Sequence, residues 1–155
     1  MAVLINEELA ALLSKEDTVK LLVTTDEQGA PHAVVKKSLQ LDEQNHFIYF
    51  ELLESSHTNK NMVRSIWFNR PVTVAVAGAN GGSYQIKGRP LKTIVSGPAF
   101  RKYYEQVRRE NSEADLAAVW VIEPQEIVDQ GFSVRRQQEE AKRPYFKHLD
   151  RLAKY

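Results

Sequence analysis

The sequence predicts a mainly β fold of the α+β class: an antiparallel sheet closed into a small barrel, with helices at its periphery. Three observations carry this. Short strand-like runs follow one another across tight polar turns, DEQGAP and DEQN. Strands do not alternate with helices as a parallel sheet requires. A strong run, VTVAVAG, is followed by ANGGS and a returning run, YQIKGRPLKTIV, which is a hairpin signature.

The chain opens with NEELAALLSK, where Leu9, Leu12 and Leu13 share a helical face and Asn6 is placed to cap it. TVKLLVTT then switches to strand chemistry. Gly29 supplies conformational freedom in the turn before Pro31. HAVVKKSLQL and HFIYFELL complete three strands of a meander. The next stretch, SSHTNKNMVRS, opens a helix that puts Met62, Val63, Ile66 and Trp67 on one apolar stripe, and Pro71 ends it. After the hairpin, in which Gly88 marks a bulge or close approach, SGPAFRKYYEQVRREN reads as a helix with cations at its end. LAAVWVIEPQEIV is a strand interrupted by Pro124. SVRRQQEEAKR is a polar helix stopped by Pro144, and Phe146, Leu149 and Leu152 then recur at helical spacing, as if packed on the barrel.

With 155 residues, 43% of them apolar and 26% charged, the chain is expected to form one soluble domain over 1–155, with a barrel core over about 18–128 and a C-terminal helical segment over 133–155. A formal charge of +1 gives no reason to expect nucleic-acid binding. The absence of cysteine excludes disulfides and thiolate chemistry. No ligand set at useful spacing points to a metal. The N-terminus does not read as a signal peptide, no run is long enough to span a bilayer, and a cytoplasmic protein without membrane contact is expected.

The helix start after HFIYFELL is unusual. Its first turn holds hydroxyls, amides, a histidine and a lysine, but no acid. Such an end presents free N–H groups and a positive dipole to an anion. Ser55, Ser56 and Thr58 can donate to it, and Lys60 and Arg64, four apart, share a side of the helix. On this stretch alone the plainer reading, a capped surface helix with solvated cations, stands ahead of a phosphate site.

The surroundings change that weighting. LLVTTDEQGAPHAVVKKSL, FIYF, SSHTNKNM, NRPVTVAV, YQIKGRP and AAVWVIEP, in this order from about Thr18 to about Val128, resemble the FMN-binding split barrels, the pyridoxamine 5′-phosphate oxidase-like proteins. The resemblance implies an antiparallel split β-barrel of six or more strands. It also implies a homodimer, with non-covalent FMN in each of two grooves between subunits. His32, Val34, Val35, Lys36 and Lys37 would flank the flavin. Phe50 and Glu51 fall where the oxidases have a flavin-touching Tyr-Thr pair. Thr58, Asn59 and Lys60 fall on their phosphate-gripping Ser-Arg-Lys, beside Ser55, Ser56, His57 and Arg64. Ser83 falls where a glutamine contacts the ring, with Gln85 a second candidate. One of Lys36 and Lys37 would face the pocket, since strand residues alternate.

The sequence departs from the oxidases at His32 and Asn59, where they carry arginine, and at Glu51. Their C-terminal tryptophan and Arg-Leu-His-Asp-Arg signature is not intact; FKHLDR stands there with an extra residue. The expected function is therefore an FMN-dependent oxidoreductase acting on a small organic substrate other than pyridoxamine phosphate, with NADH, NADPH or an organic donor as reductant. Two alternatives stay open: a haem-binding or haem-utilising split barrel, resting on His148, and a non-catalytic flavin-binding redox sensor. No catalytic residue is assigned.

Overall fold

A computed structural model of the chain describes residues 3–144 and 148–152, with the side chain of Asp150 left out. The elements run α1 (Glu7–Ser14), β1 (Val19–Thr25), β2 (Pro31–Val35), β3 (Gln40–Leu41), β4 (Phe47–Glu51), α2 (His57–Trp67), β5 (Val72–Ala77), β6 (Ser83–Ile94), α3 (Gly97–Glu110), β7 (Ala118–Asp129) and α4 (Phe132–Lys142), with a 3₁₀ turn at Leu149–Leu152.

All seven strands belong to one antiparallel sheet in the order β2-β1-β5-β6-β7-β4-β3. The sheet curls around a core of Leu22, Phe47, Tyr49, Val74, Ile86, Trp120 and Ile122. It is the split barrel that the resemblance implies, and β2 and β3 are the two edges of its sheet. The reason is local. The run HAVVKKSLQL is not one strand. After Val35 the chain turns, with Leu39 N–H donating to the Lys36 carbonyl, and only two residues of β3 follow. The Ser38 hydroxyl accepts the Phe50 N–H at 2.9 Å and ties this turn to β4.

The turns form as their residues dictate. Asp26 Oδ1 accepts the N–H groups of Gln28 and Ala30, while Gly29 takes φ +82°. Asn6 caps α1 by accepting the Leu9 N–H at 2.7 Å, and Leu9, Leu12 and Leu13 are buried. β7 continues through Pro124, because a register shift opposite Lys87 and Gly88 absorbs the missing donor. Gly88 is needed there: a Cβ would stand 2.5 Å from Ile122 Cγ2. A second cluster, built from Ile48, Phe50, Val119 and Val121, lies on the other face of β4 and β7 under α3.

Helix α2 reverses the expected burial. Of its predicted stripe only Met62 is inside; Val63, Ile66 and Trp67 are exposed, Trp67 by 78%. The buried face is Thr58, Asn61, Met62 and Ser65, because α2 packs on strand faces that carry polar partners. Asn61 Nδ2 donates to Thr24 Oγ1 at 3.0 Å. Leu149 and Leu152 are exposed and do not pack on the barrel; Phe146 lies outside the described residues.

The sheet has one further apolar face. Leu21 stands opposite Val35 and Ala75, and Val23 opposite Ala33 and Thr73, all pointing away from the barrel core. Val19 and Val35 at its margins are half exposed. No helix among the described residues is long and apolar enough to cross a membrane.

Candidate functional site

The first turn of α2 meets the inward side of β2. Register fixes that side: His32 pairs with Thr24 and Val34 with Leu22, both inward-facing, so His32, Val34 and Lys36 point in while Val35 points out; Lys37 lies past the end of β2, in the turn, where alternation no longer sets its side. His32 Nε2 lies 3.3 Å from Thr58 Oγ1, and the rings of His32 and His57 are 6.0 Å apart. Lys60 is exposed on the same turn. Among the described residues the N–H groups of His57 and Thr58 have no acceptor, as expected of the first helical positions.

The rest of this helix mouth is occupied by the chain itself. Ser56 caps it, accepting the Asn59 N–H at 3.0 Å. The Ser56 hydroxyl in turn donates to Glu51 Oε1 at 2.9 Å. Glu51 is buried; its other oxygen lies 3.5 Å from Lys36 Nζ and accepts the Leu53 N–H at 3.4 Å. Thus an internal carboxylate supplies part of the negative charge that the acid-free first turn lacks. Asn59 is also committed: its Oδ1 accepts the Trp120 indole N–H at 2.8 Å and its Nδ2 donates to the Glu54 carbonyl. A continuous network therefore runs Lys36–Glu51–Ser56–Asn59–Trp120, from β2 to β7 across the barrel end.

Arg64, two turns above the cap, pairs with Glu27 at 3.1 Å. Ser55 is exposed at the mouth. Lys36 also lies 5.3 Å from the centroid of the Tyr49 ring. Tyr49 is fully buried and its hydroxyl has no partner among the described residues. Burial, and behind it the Glu51 carboxylate, push that phenol well above its usual range.

Beyond Lys36 a groove of about 710 Å³ follows the split in the barrel, between the Lys36–Gln40 turn, the end of β4 and the C-terminal half of α3. Lys37, Phe50 and Glu51 line it with Lys36 and Val35. Ser83 and Gln85 are not brought there. They lie on β6, on the outward apolar face, three strands from β2.

Spacing did not reveal the Asn59–Trp120 bond, whose partners lie 61 residues apart. The one available signal for the groove was Lys20, a lysine alternating in register with the inward Leu22 and Thr24.

Comparison with known structures agrees with this architecture. HupZ of Group A Streptococcus superposes with a TM-score of 0.69 at 19% identity, over 83% of this chain and 96% of that one. A Lactobacillus delbrueckii protein, provisionally named a pyridoxamine 5′-phosphate oxidase, gives 0.58 at 17% identity, over 80% and 93%. An FMN-binding protein from Syntrophomonas wolfei gives 0.60 at 12% identity, over 78% and 82%. No family model matches the sequence, and no curated protein is similar enough to count as a match. The fold is the split barrel of the pyridoxamine 5′-phosphate oxidase-like proteins.

Proposed function

We propose that the chain is an FMN-binding oxidoreductase that works as a homodimer on a small organic substrate. The observation that carries this reading is the meeting of His32 with Thr58 beside two unpartnered helix-start N–H groups, at the open edge of a split barrel. The phosphate of FMN would be held by the His57 and Thr58 N–H groups and by Lys60, with His32 steadying the Thr58 hydroxyl. From His32, β2 runs four residues, about 13 Å, to Lys36 at the groove. That distance suits a flavin lying along the strand with its ring near Phe50 and the groove mouth.

The residues fit FMN with fewer phosphate-binding side chains than the sequence suggests, because Asn59 serves Trp120 and Arg64 serves Glu27. Bound FMN would supply two-electron hydride chemistry, and the chain's task is to fix the ring and exclude water. Ser83 and Gln85, about 14 Å from β2 across three strand spacings, would reach the cofactor only from a second copy. The outward face around Leu21, Val23, Val35 and Ala75 is the surface we assign to that pairing, since it is apolar and partly open to solvent.

Fluorescence titration with FMN and with riboflavin, which lacks the phosphate, tests the site. FMN should bind at least about tenfold more tightly, the value of one charge-assisted bond. Equal affinities would contradict the phosphate grip. Rapid anaerobic bleaching of the bound flavin by NADH or NADPH would separate an enzyme from a passive holder.

A further inference from the structure

Lys20 is a cation on the inward side of a strand. Its neighbours on that face of β1, Leu22 and Thr24, are almost fully buried. Its ammonium donates to the Leu39 carbonyl at 2.8 Å, and no carboxylate among the described residues lies within ion-pair distance. Lys36 nearby differs, because Glu51 matches its charge. Placing an ammonium in a half-buried position with one carbonyl is costly. Burial accordingly holds the Lys20 pKa below the usual lysine value.

Lys20 lines the groove along the split, together with Lys37. The walls also carry apolar side chains: Val35, Leu52 and Leu53 are exposed, and Phe50 and Val107 lie almost buried behind them. Setting aside the matched Lys36 and Glu51, the lining leaves two ammonium groups against the single carboxylate of Glu110, which is exposed at the end of α3. The volume, about 710 Å³, lies within the range of about 300–1,000 Å³ typical of small-molecule sites.

We infer that this groove binds an organic anion with an apolar body, whose charged end pairs with Lys20 and whose body rests against Leu52 and Leu53. That this anion is the redox substrate rests on the flavin reading; that it binds does not.

The test uses the full chain as purified and two fluorescent probes. One is 8-anilino-1-naphthalenesulfonate, and the other is N-phenyl-1-naphthylamine, which carries the same aromatic body without the charge. The sulfonate should bind more tightly than the neutral amine. Lys20→Met should weaken the sulfonate about tenfold or more and leave the amine unchanged, while Lys20→Arg retains it. Ala114→Trp, which fills the groove wall, should weaken both. Equal sulfonate affinity for wild type and Lys20→Met, or for wild type and Ala114→Trp, overturns the inference. Should Lys20→Met fail to fold by circular dichroism, Lys20→Gln replaces it, and no loss of sulfonate affinity there overturns the inference equally. Flavin content, read from visible absorbance of the same samples, should not change in Lys20→Met. A failure of the flavin reading therefore registers separately.

Discussion

The indole N–H of Trp120 donates to the side-chain oxygen of Asn59 at 2.8 Å, joining the start of β7 to the first turn of α2. Asn59 stands where the resembling oxidases carry a phosphate-gripping arginine. Here its amide faces inward and holds the helix mouth against the barrel. Asn59→Ala would leave a buried indole N–H unpaired and should cost about 1–3 kcal/mol. Denaturant unfolding checks this. In a Trp120→Phe background the same substitution should cost about 1 kcal/mol less, because no donor is then orphaned.

Glu51 and Lys36 form the most enclosed ion pair among the described residues, with side-chain exposures of 3% and 19%. Glu51→Ala removes the Ser56 acceptor and strands the Lys36 ammonium, so a loss of about 3 kcal/mol is expected. Lys36→Met combined with Glu51→Ala should recover part of that loss. A thermal-unfolding double-mutant cycle that finds the two substitutions additive would rule out the pairing.

Alkaline pH should destabilise the fold through its buried phenols. Burial first, then hydrogen bonding to Glu8, pushes Tyr84 up to about 12 from 10.0. Between these values the unfolded chain has released a proton that the folded chain keeps, so stability falls as pH rises, by up to about 1.4 kcal/mol per pH unit from this residue. The contribution is intact below pH 10. Tyr84→Phe should flatten the stability profile over that window, as measured by denaturant midpoints at stepped pH.

Ala75→Arg places a long cation at the centre of the outward face while leaving the chain room to extend it into solvent. Sedimentation equilibrium should show wild type as a dimer and this variant as a monomer of unchanged helix and strand content. A wild-type monomer would remove the assigned seam, and with it any role for Ser83 and Gln85 at a partner's cofactor.

Much of the fold is readable in the chain because its signals are local. Asn6 precedes an apolar helical period, Asp26 and Gly29 define their turn, and Gly88 sits where a bulge brings Ile122 within 2.5 Å of any added Cβ. The face of α2 was not readable. Periodicity shows that Met62, Val63, Ile66 and Trp67 form a stripe, but the side that turns inward depends on partners far away in sequence. Thr24 receives Asn61, while the apolar Ile66 and Trp67 are left outside. The same limit applies to the candidate site. Its acid-free helix start is plain in SSHTNK, but the carboxylate that partly serves it comes from Glu51, which strand patterning alone would place as a core position.

Mass spectrometry of the small molecule released from the purified chain tests the central claim most directly. The account predicts FMN, approaching one per chain, and depletion in Lys60→Ala through loss of a charge-assisted bond worth about 1.5–3 kcal/mol. Release of haem, or a chain that holds no flavin even after saturation with FMN, would contradict it.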